Sequence, residues 1–243
     1  TTVNFSGFDT ISGSGTDYLD YSQYVFGVDE DLEVSVNLEE ETATGLNGVT
    51  GINTLLGSNY GDNFIGDSNN NLFIVDLGDT VDGKGGFDSV MYRESGTAGL
   101  DIKVTVDNAG SDFTLTSGEW NGVDTFTPNA DLDKAITLVD VDLLAAEGGD
   151  GQNYFDFSAA DVAVHLSGGA EADVLLGGLK DDILIGGLGN DMLNGGAGID
   201  EVIAVRTDNL GLTGNSLWIG DSETDPLVET DTLLEIDSIY LNA

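Results

Sequence analysis

Between Gly168 and Ile203 an aspartate recurs every nine residues: Asp173, Asp182, Asp191 and Asp200. Each is followed two places later by an aliphatic side chain, Leu175, Leu184, Leu193 or Val202. A glycine pair opens each interval, so the stretch divides into GGAEADVLL, GGLKDDILI, GGLGNDMLN and GGAGIDEVI. A looser set lies upstream, with Asp62, Asn71, Asp79 and Asp88 in the sixth place and Phe64, Phe73, Val81 and Val90 two residues further on. Single copies stand at Asp17, before Leu19, and at Asn153, before Phe155. Side-chain oxygens at fixed intervals are ligands for a hard cation. An Asx turn without metal accounts for one such aspartate but not for its recurrence at a fixed step.

The nine-residue unit reads as a six-residue turn followed by a three-residue strand. A period of two points the aliphatic residue inward and its neighbours outward. Two units then make one coil with turns on opposite edges, and residues 18 apart stack in parallel at a spacing of about 4.8 Å. Asp173 comes to lie against Asp191, and Asp182 against Asp200 on the other edge. Two carboxylates about 5 Å apart repel by about 1 kcal/mol in water, and by several at the lower dielectric near a protein surface. Ca²⁺ between them reverses the sign, because it takes six to eight oxygens and accepts backbone carbonyls alongside carboxylates. The glycines permit the backbone angles that turn carbonyls inward. Mg²⁺ suits such a site poorly, since it keeps a strict octahedron with several waters. Zinc calls for His or Cys, and the chain has one His and no Cys.

The elements that must position these turns are strands. LEVSVNL (32–38), LDIKVTVD (100–107) and DVAVHL (161–166) alternate strictly between apolar and polar residues, the mark of half-buried β-strands. No segment shows a convincing helical period, so the expected class is all-β. The chain divides into an N-terminal solenoid unit with degenerate turns (1–92), an intervening strand segment (93–147), the regular repeat (148–205) and a C-terminal cap (206–243), all in one continuous solenoid. Forty per cent apolar content supplies a core. A net charge of −39 argues against nucleic acid and against an anionic membrane surface as partners. No apolar run reaches the roughly 18 residues of a membrane span. The opening TTVNF suggests a processed or excised piece of a longer protein.

The four tandem copies resemble the nonapeptide GGxGxDxUx, with U large and apolar, of RTX or hemolysin-type calcium-binding proteins; GGLGNDMLN matches it in full. The resemblance implies a right-handed parallel β-roll (β-helix solenoid), several calcium ions held between turns, and secretion by a type I exporter. It also implies that turn carbonyls join the aspartates as ligands: those of Gly168, Ala170, Gly177, Leu179, Gly186, Leu188, Gly189, Gly195, Ala197 and Gly198. Asn71 and Asn153 offer a neutral oxygen in place of a carboxylate, which weakens the sites that use them. Lys180 sets a cation beside the site of Asp182.

Catalysis is not expected. His165 reads as a solvent-facing strand residue and cannot by itself form a two-His zinc pair. Neither GDSNN nor GNSLW fits the nucleophile elbow. Trp120, Trp218, Tyr60 and Tyr92 could stack on a sugar, although such residues more often pack in a core. The expected role is a calcium-dependent structural or adhesive module of a secreted or cell-surface bacterial protein such as an adhesin, surface-layer or filament subunit. Its expected partners are calcium, further copies of itself or an extracellular polysaccharide. The alternative is an accessory roll of an exported lipase, protease or alginate epimerase.

Overall fold

Strand-forming alternation sets the architecture. The computed structural model describes residues 10–22, 33–58, 60–76, 78–93, 101–106, 112–120, 126–128, 136–149, 151–205, 210–219 and 229–242, and the regular elements among them are all β-strands. Numbered in chain order, one sheet runs β1 (Thr10–Asp20), β4 (Gly48–Leu56), β6 (Leu72–Val75), β8 (Ser89–Arg93), β13 (Leu143–Glu147), β15 (Ala163–Gly169), β17 (Ile183–Gly187), β19 (Glu201–Val205) and β23 (Ser238–Asn242). Every neighbouring pair in it is parallel. The chain alternates between this sheet and a second one, whose parallel members are β2 (Ser35–Asn37), with the short β3 (Thr42–Ala43) antiparallel at its edge, β5 (Asn63–Ile65), β7 (Thr80–Asp82) and β12 (Ile136–Val139) in one block. The other block holds β9 (Asp101–Val106), β14 (Tyr154–Asp156), β16 (Val174–Leu176), β18 (Met192–Asn194) and β22 (Glu229–Leu234). This is the parallel β-roll that the repeat implies.

The intervening segment is two things at once. Strands β12 and β13 carry on the roll, one in each sheet. Strand β10 (Asp112–Trp120) is an insertion: it lies antiparallel between β9 and β12 and holds β11 (Phe126–Pro128) beside it. Sheet two is thereby widened, while in sheet one β13 and β15 remain direct neighbours. The C-terminal segment is likewise more than a cap. Strands β22 and β23 add another coil, and only the hairpin β20 (Leu210–Thr213) and β21 (Ser216–Ile219) runs antiparallel over the edge of β22.

The core is a narrow column between the sheets. Phe64, Phe73, Val81, Val90, Phe155, Leu175, Leu184, Leu193 and Val202 are all buried, and so are Leu138, Leu144 and Leu233 from strands without glycine turns. Phe64 and Phe73 stack with ring centroids 6.2 Å apart. Several strands of three residues donate one side chain each, as in β5, β7 and β18, whose central residue alone is buried. A missing side chain therefore leaves a hole that no second layer fills. Leu193→Ala should cost about 2–5 kcal/mol, read as a lowered denaturation midpoint at saturating calcium with an unchanged slope.

Candidate metal centre

Each repeat aspartate sits at the residue where turn becomes strand, and the parallel register brings these residues over one another. Asp173 N–H donates to Asp191 Oδ1 at 2.9 Å, and Asp182 N–H to Asp200 Oδ1 at 2.9 Å, across the expected interval of 18 residues. Upstream the interval is 17: Asp62 N–H donates to Asp79 Oδ1 and Asn71 N–H to Asp88 Oδ1, both at 2.8 Å. The stacks extend onto residues that no glycine pair announces. Asp88 N–H reaches Asp142 Oδ2 at 2.8 Å, while Asp191 N–H reaches Asp231 Oδ1 and Asp200 N–H reaches Asp237 Oδ2, both at 3.0 Å. Asn153 N–H donates to Asp173 Oδ1 at 2.7 Å.

Four stacks result: Asp62–Asp79; Asn71–Asp88–Asp142; Asn153–Asp173–Asp191–Asp231; and Asp182–Asp200–Asp237. They do not join. Beside Asp79 the register places Ile136, which is fully buried. In sheet one Asp142 is level with Val162 but Asp182 with Val164, two residues out of step. Asp17 belongs to no stack. It is exposed and accepts hydrogen bonds from Ser14 N–H at 2.6 Å and Ser14 Oγ–H at 2.9 Å, at an irregularity within β1 rather than a repeat turn.

The glycines show what the turns enclose. A Cβ on Gly168 would lie 2.2 Å from Asp173 Oδ2 and 2.4 Å from the carbonyl oxygen of Gly186. On Gly177 it would lie 2.4 Å from Gly195 O and 2.6 Å from Asp182 Oδ2; on Gly195, 2.4 Å from Glu235 O and 2.5 Å from Asp200 Oδ2. Upstream, a Cβ on Gly57 would meet Asp62 Oδ2 and Asp79 Oδ2 at 2.8 and 3.1 Å. Carboxylate oxygens therefore crowd the same small space as one another or as a carbonyl of the following coil. Asp173 Oδ2 and Asp200 Oδ2 are buried there and accept no hydrogen bond. Among the described residues no three acidic or imidazole side chains converge on one point, so a ligand set must be completed by carbonyls. Oxygens alone, part of them from the backbone, fit Ca²⁺.

Other turn residues hold the turns in register. The N–H groups of Ala170, Leu179, Leu188 and Ala197 donate to the carbonyls of Gly149, Ala160, Gly169 and Gly178, 2.8–3.3 Å away. Gly189 and Gly198 have φ of 128° and 136°, and a Cβ there would strike the carbonyls of Glu171 and Lys180. Lys180 does not crowd Asp182: its Nζ pairs with Asp161 Oδ1 at 2.5 Å on the exposed face. The two asparagines differ. Asn71 Oδ1 accepts Asp67 N–H at 2.9 Å as a carboxylate oxygen would. Asn153 instead turns its nitrogen toward the carbonyls of Gly151 and Gly168, 2.7 and 2.8 Å away.

Electrostatics state the same need. Burial, with the charge of Asp191 added, pushes Asp173 up to about 7. Burial and Asp200 push Asp182 up to about 6. Asp79 rises to about 8 and Asp88 to about 6, again chiefly by burial, and Asp62 and Asp200 shift the same way. Every one of these shifts says that the buried negative charge lacks a counter-charge.

The fold and the site together define a parallel β-roll whose turns bind a hard divalent cation. Residues 167–202 match the family model of the RTX calcium-binding nonapeptide repeat, in four copies. These repeats bind calcium ions, several to a set, and typically occur in secreted proteins. No curated protein matches the chain.

Two outcomes follow. Without calcium, the raised carboxylates keep protons in the folded state that the unfolded chain releases above about pH 4. Their stabilisation is fully present below that pH and is lost as pH rises through about 6 to 8. Chelator-stripped protein should thus melt at a higher temperature at pH 5 than at pH 8, whereas calcium affinity should be weaker at pH 5, since proton and ion compete. Position should also outweigh charge. Asp191→Ala should lower calcium affinity at least tenfold in a titration, and Glu40→Ala on the exposed surface should leave it within twofold.

Proposed function

We propose that the chain is a calcium-dependent structural and adhesive module of a secreted or cell-surface bacterial protein, exported by a type I route and folding on arrival outside the cell. The observation that carries this reading is the set of buried, stacked carboxylates whose second oxygens face other oxygens. Inside a cell, where free calcium is scarce, such stacks oppose folding; outside, calcium binding and folding become one event. The chain then stays threadable during export and stiffens only where it works.

A non-enzymatic role is supported by the uses to which the polar groups are put. Except for Asp156, which binds Ser158 N–H and Oγ–H, the buried acids among the described residues lie in the stacks along the turns. His165 is exposed on its strand. Of the aromatic residues that could stack on a sugar, Tyr92 is buried in the core and Tyr60 is exposed, while the side chain of Trp120 lies outside the described residues. Self-association has better support than polysaccharide binding. At the C-terminal end of sheet one, β23 pairs with β19 alone among the described strands and carries the exposed Tyr240 and Leu241. An open parallel edge with apolar side chains can template a strand of another copy.

Circular dichroism at neutral pH should show a weakened β signal and a lowered melting temperature in chelator and a large gain in both in millimolar calcium, with magnesium a poor substitute. An equally folded chain in both conditions refutes the proposal. Light scattering should rise with calcium, and ester, peptide and polysaccharide substrates should show no turnover. Turnover that scales with protein concentration would overturn the non-enzymatic part, and a strictly monomeric folded chain would overturn the assembly part.

A further inference from the structure

We propose that Asn153 is a built-in substitute for calcium, its side-chain N–H groups satisfying the oxygens that a cation would otherwise take between the turn that ends at Asn153 and the turn that ends at Asp173. This rests on calcium loading at the neighbouring levels of the roll.

The two levels can be compared atom by atom. A Cβ on Gly168 would lie 2.4 Å from Gly186 O and 2.2 Å from Asp173 Oδ2. One coil earlier, a Cβ on Gly148 would lie 2.3 Å from Gly168 O and 2.6 Å from Asn153 Nδ2. The amide nitrogen of Asn153 thus takes the place that a carboxylate oxygen takes in Asp173. The consequences are opposite. Asp173 Oδ2 is buried with no hydrogen bond. Asn153 Nδ2 donates to Gly151 O at 2.7 Å, to Gly168 O at 2.8 Å and to Asp173 Oδ1 at 3.1 Å. Two carbonyls and one carboxylate converge on it, which is the donor set that calcium takes from such turns. The direction of the amide is settled by chemistry, because only an N–H can face those carbonyls.

Asparagine does not do this wherever it replaces aspartate. Asn71 keeps its oxygen toward the turn, accepting Asp67 N–H, and its Nδ2 is buried without a partner. Asn153 stands where the regular repeat meets the insertion. Its strand β14 pairs with β9, beyond which β10 runs antiparallel, and its interval to Asp173 is 20 residues rather than 18. At this junction the amide supplies turn-to-turn closure that needs no ion. The roll gains one level that forms ahead of calcium and from which the ion-dependent levels can be added.

The test counts calcium ions on the intact chain by native mass spectrometry and calorimetry, with circular dichroism confirming the fold. Asn153→Asp should bind one calcium more than the parent chain and melt at a lower temperature when stripped of calcium. Asn153→Ala should bind the parent number and lose thermal stability both with and without calcium. An unchanged count in Asn153→Asp, or one ion fewer in Asn153→Ala, would show that Asn153 is no substitute and overturn the proposal. A parent chain that binds no calcium at all would instead overturn the reading of the repeats, and this proposal with it.

Discussion

Oxygen facing oxygen across a turn is the constraint on which the rest of this molecule depends. The repeat places a carboxylate and a carbonyl of successive coils within one small, buried volume, and for Asp173 and Asp200 the inner oxygen has no proton to meet. Such a space is unfavourable when empty of positive charge. It becomes a strong site when a divalent cation can take all the oxygens at once. The raised proton affinities of Asp79, Asp173 and Asp182 are the same repulsion expressed as titration.

Much of the remaining structure can be understood as what this constraint permits. Strands need only three residues, because the turns rather than the strands fix the coil. A thin core follows, with a single buried side chain from strands such as β5, β7 and β18, so packing alone holds little in reserve. Insertions are tolerated provided that the two ends of a coil still meet: Asp88 stacks with Asp142 across 54 residues and Asp191 with Asp231 across 40. Where the constraint lapses, the stacks lapse too. Ile136 fills the level beside Asp79, and a two-residue offset separates Asp142 from Asp182.

The regular part was legible in the sequence because glycine pairs, aspartate and an aliphatic residue recur together, and each has a separate physical reason to be there. The class of fold, the inward residues and the pairing of Asp173 with Asp191 and of Asp182 with Asp200 all followed from a period of nine. Asp142, Asp231 and Asp237 escaped that reading. They keep only the aspartate and the apolar residue two places on (Leu144, Leu233, Ile239), and two residues are too weak a pattern in a chain with 45 acids. Asp17 misled in the opposite sense: its local sequence mimics a repeat, but a strand register shift leaves it on the surface. Nor could sequence show which way an asparagine amide turns, since that depends on carbonyls brought in from another coil.

The most direct measurement is anomalous scattering from crystals grown with calcium, which locates the ions without reference to the turns. The account predicts peaks between successive turns of the stacks, with the oxygens of Asp173, Asp182, Asp191 and Asp200 about 2.3–2.6 Å from the nearest one. Peaks confined to exposed acids, or a well-ordered roll with no peak between its turns, would contradict it.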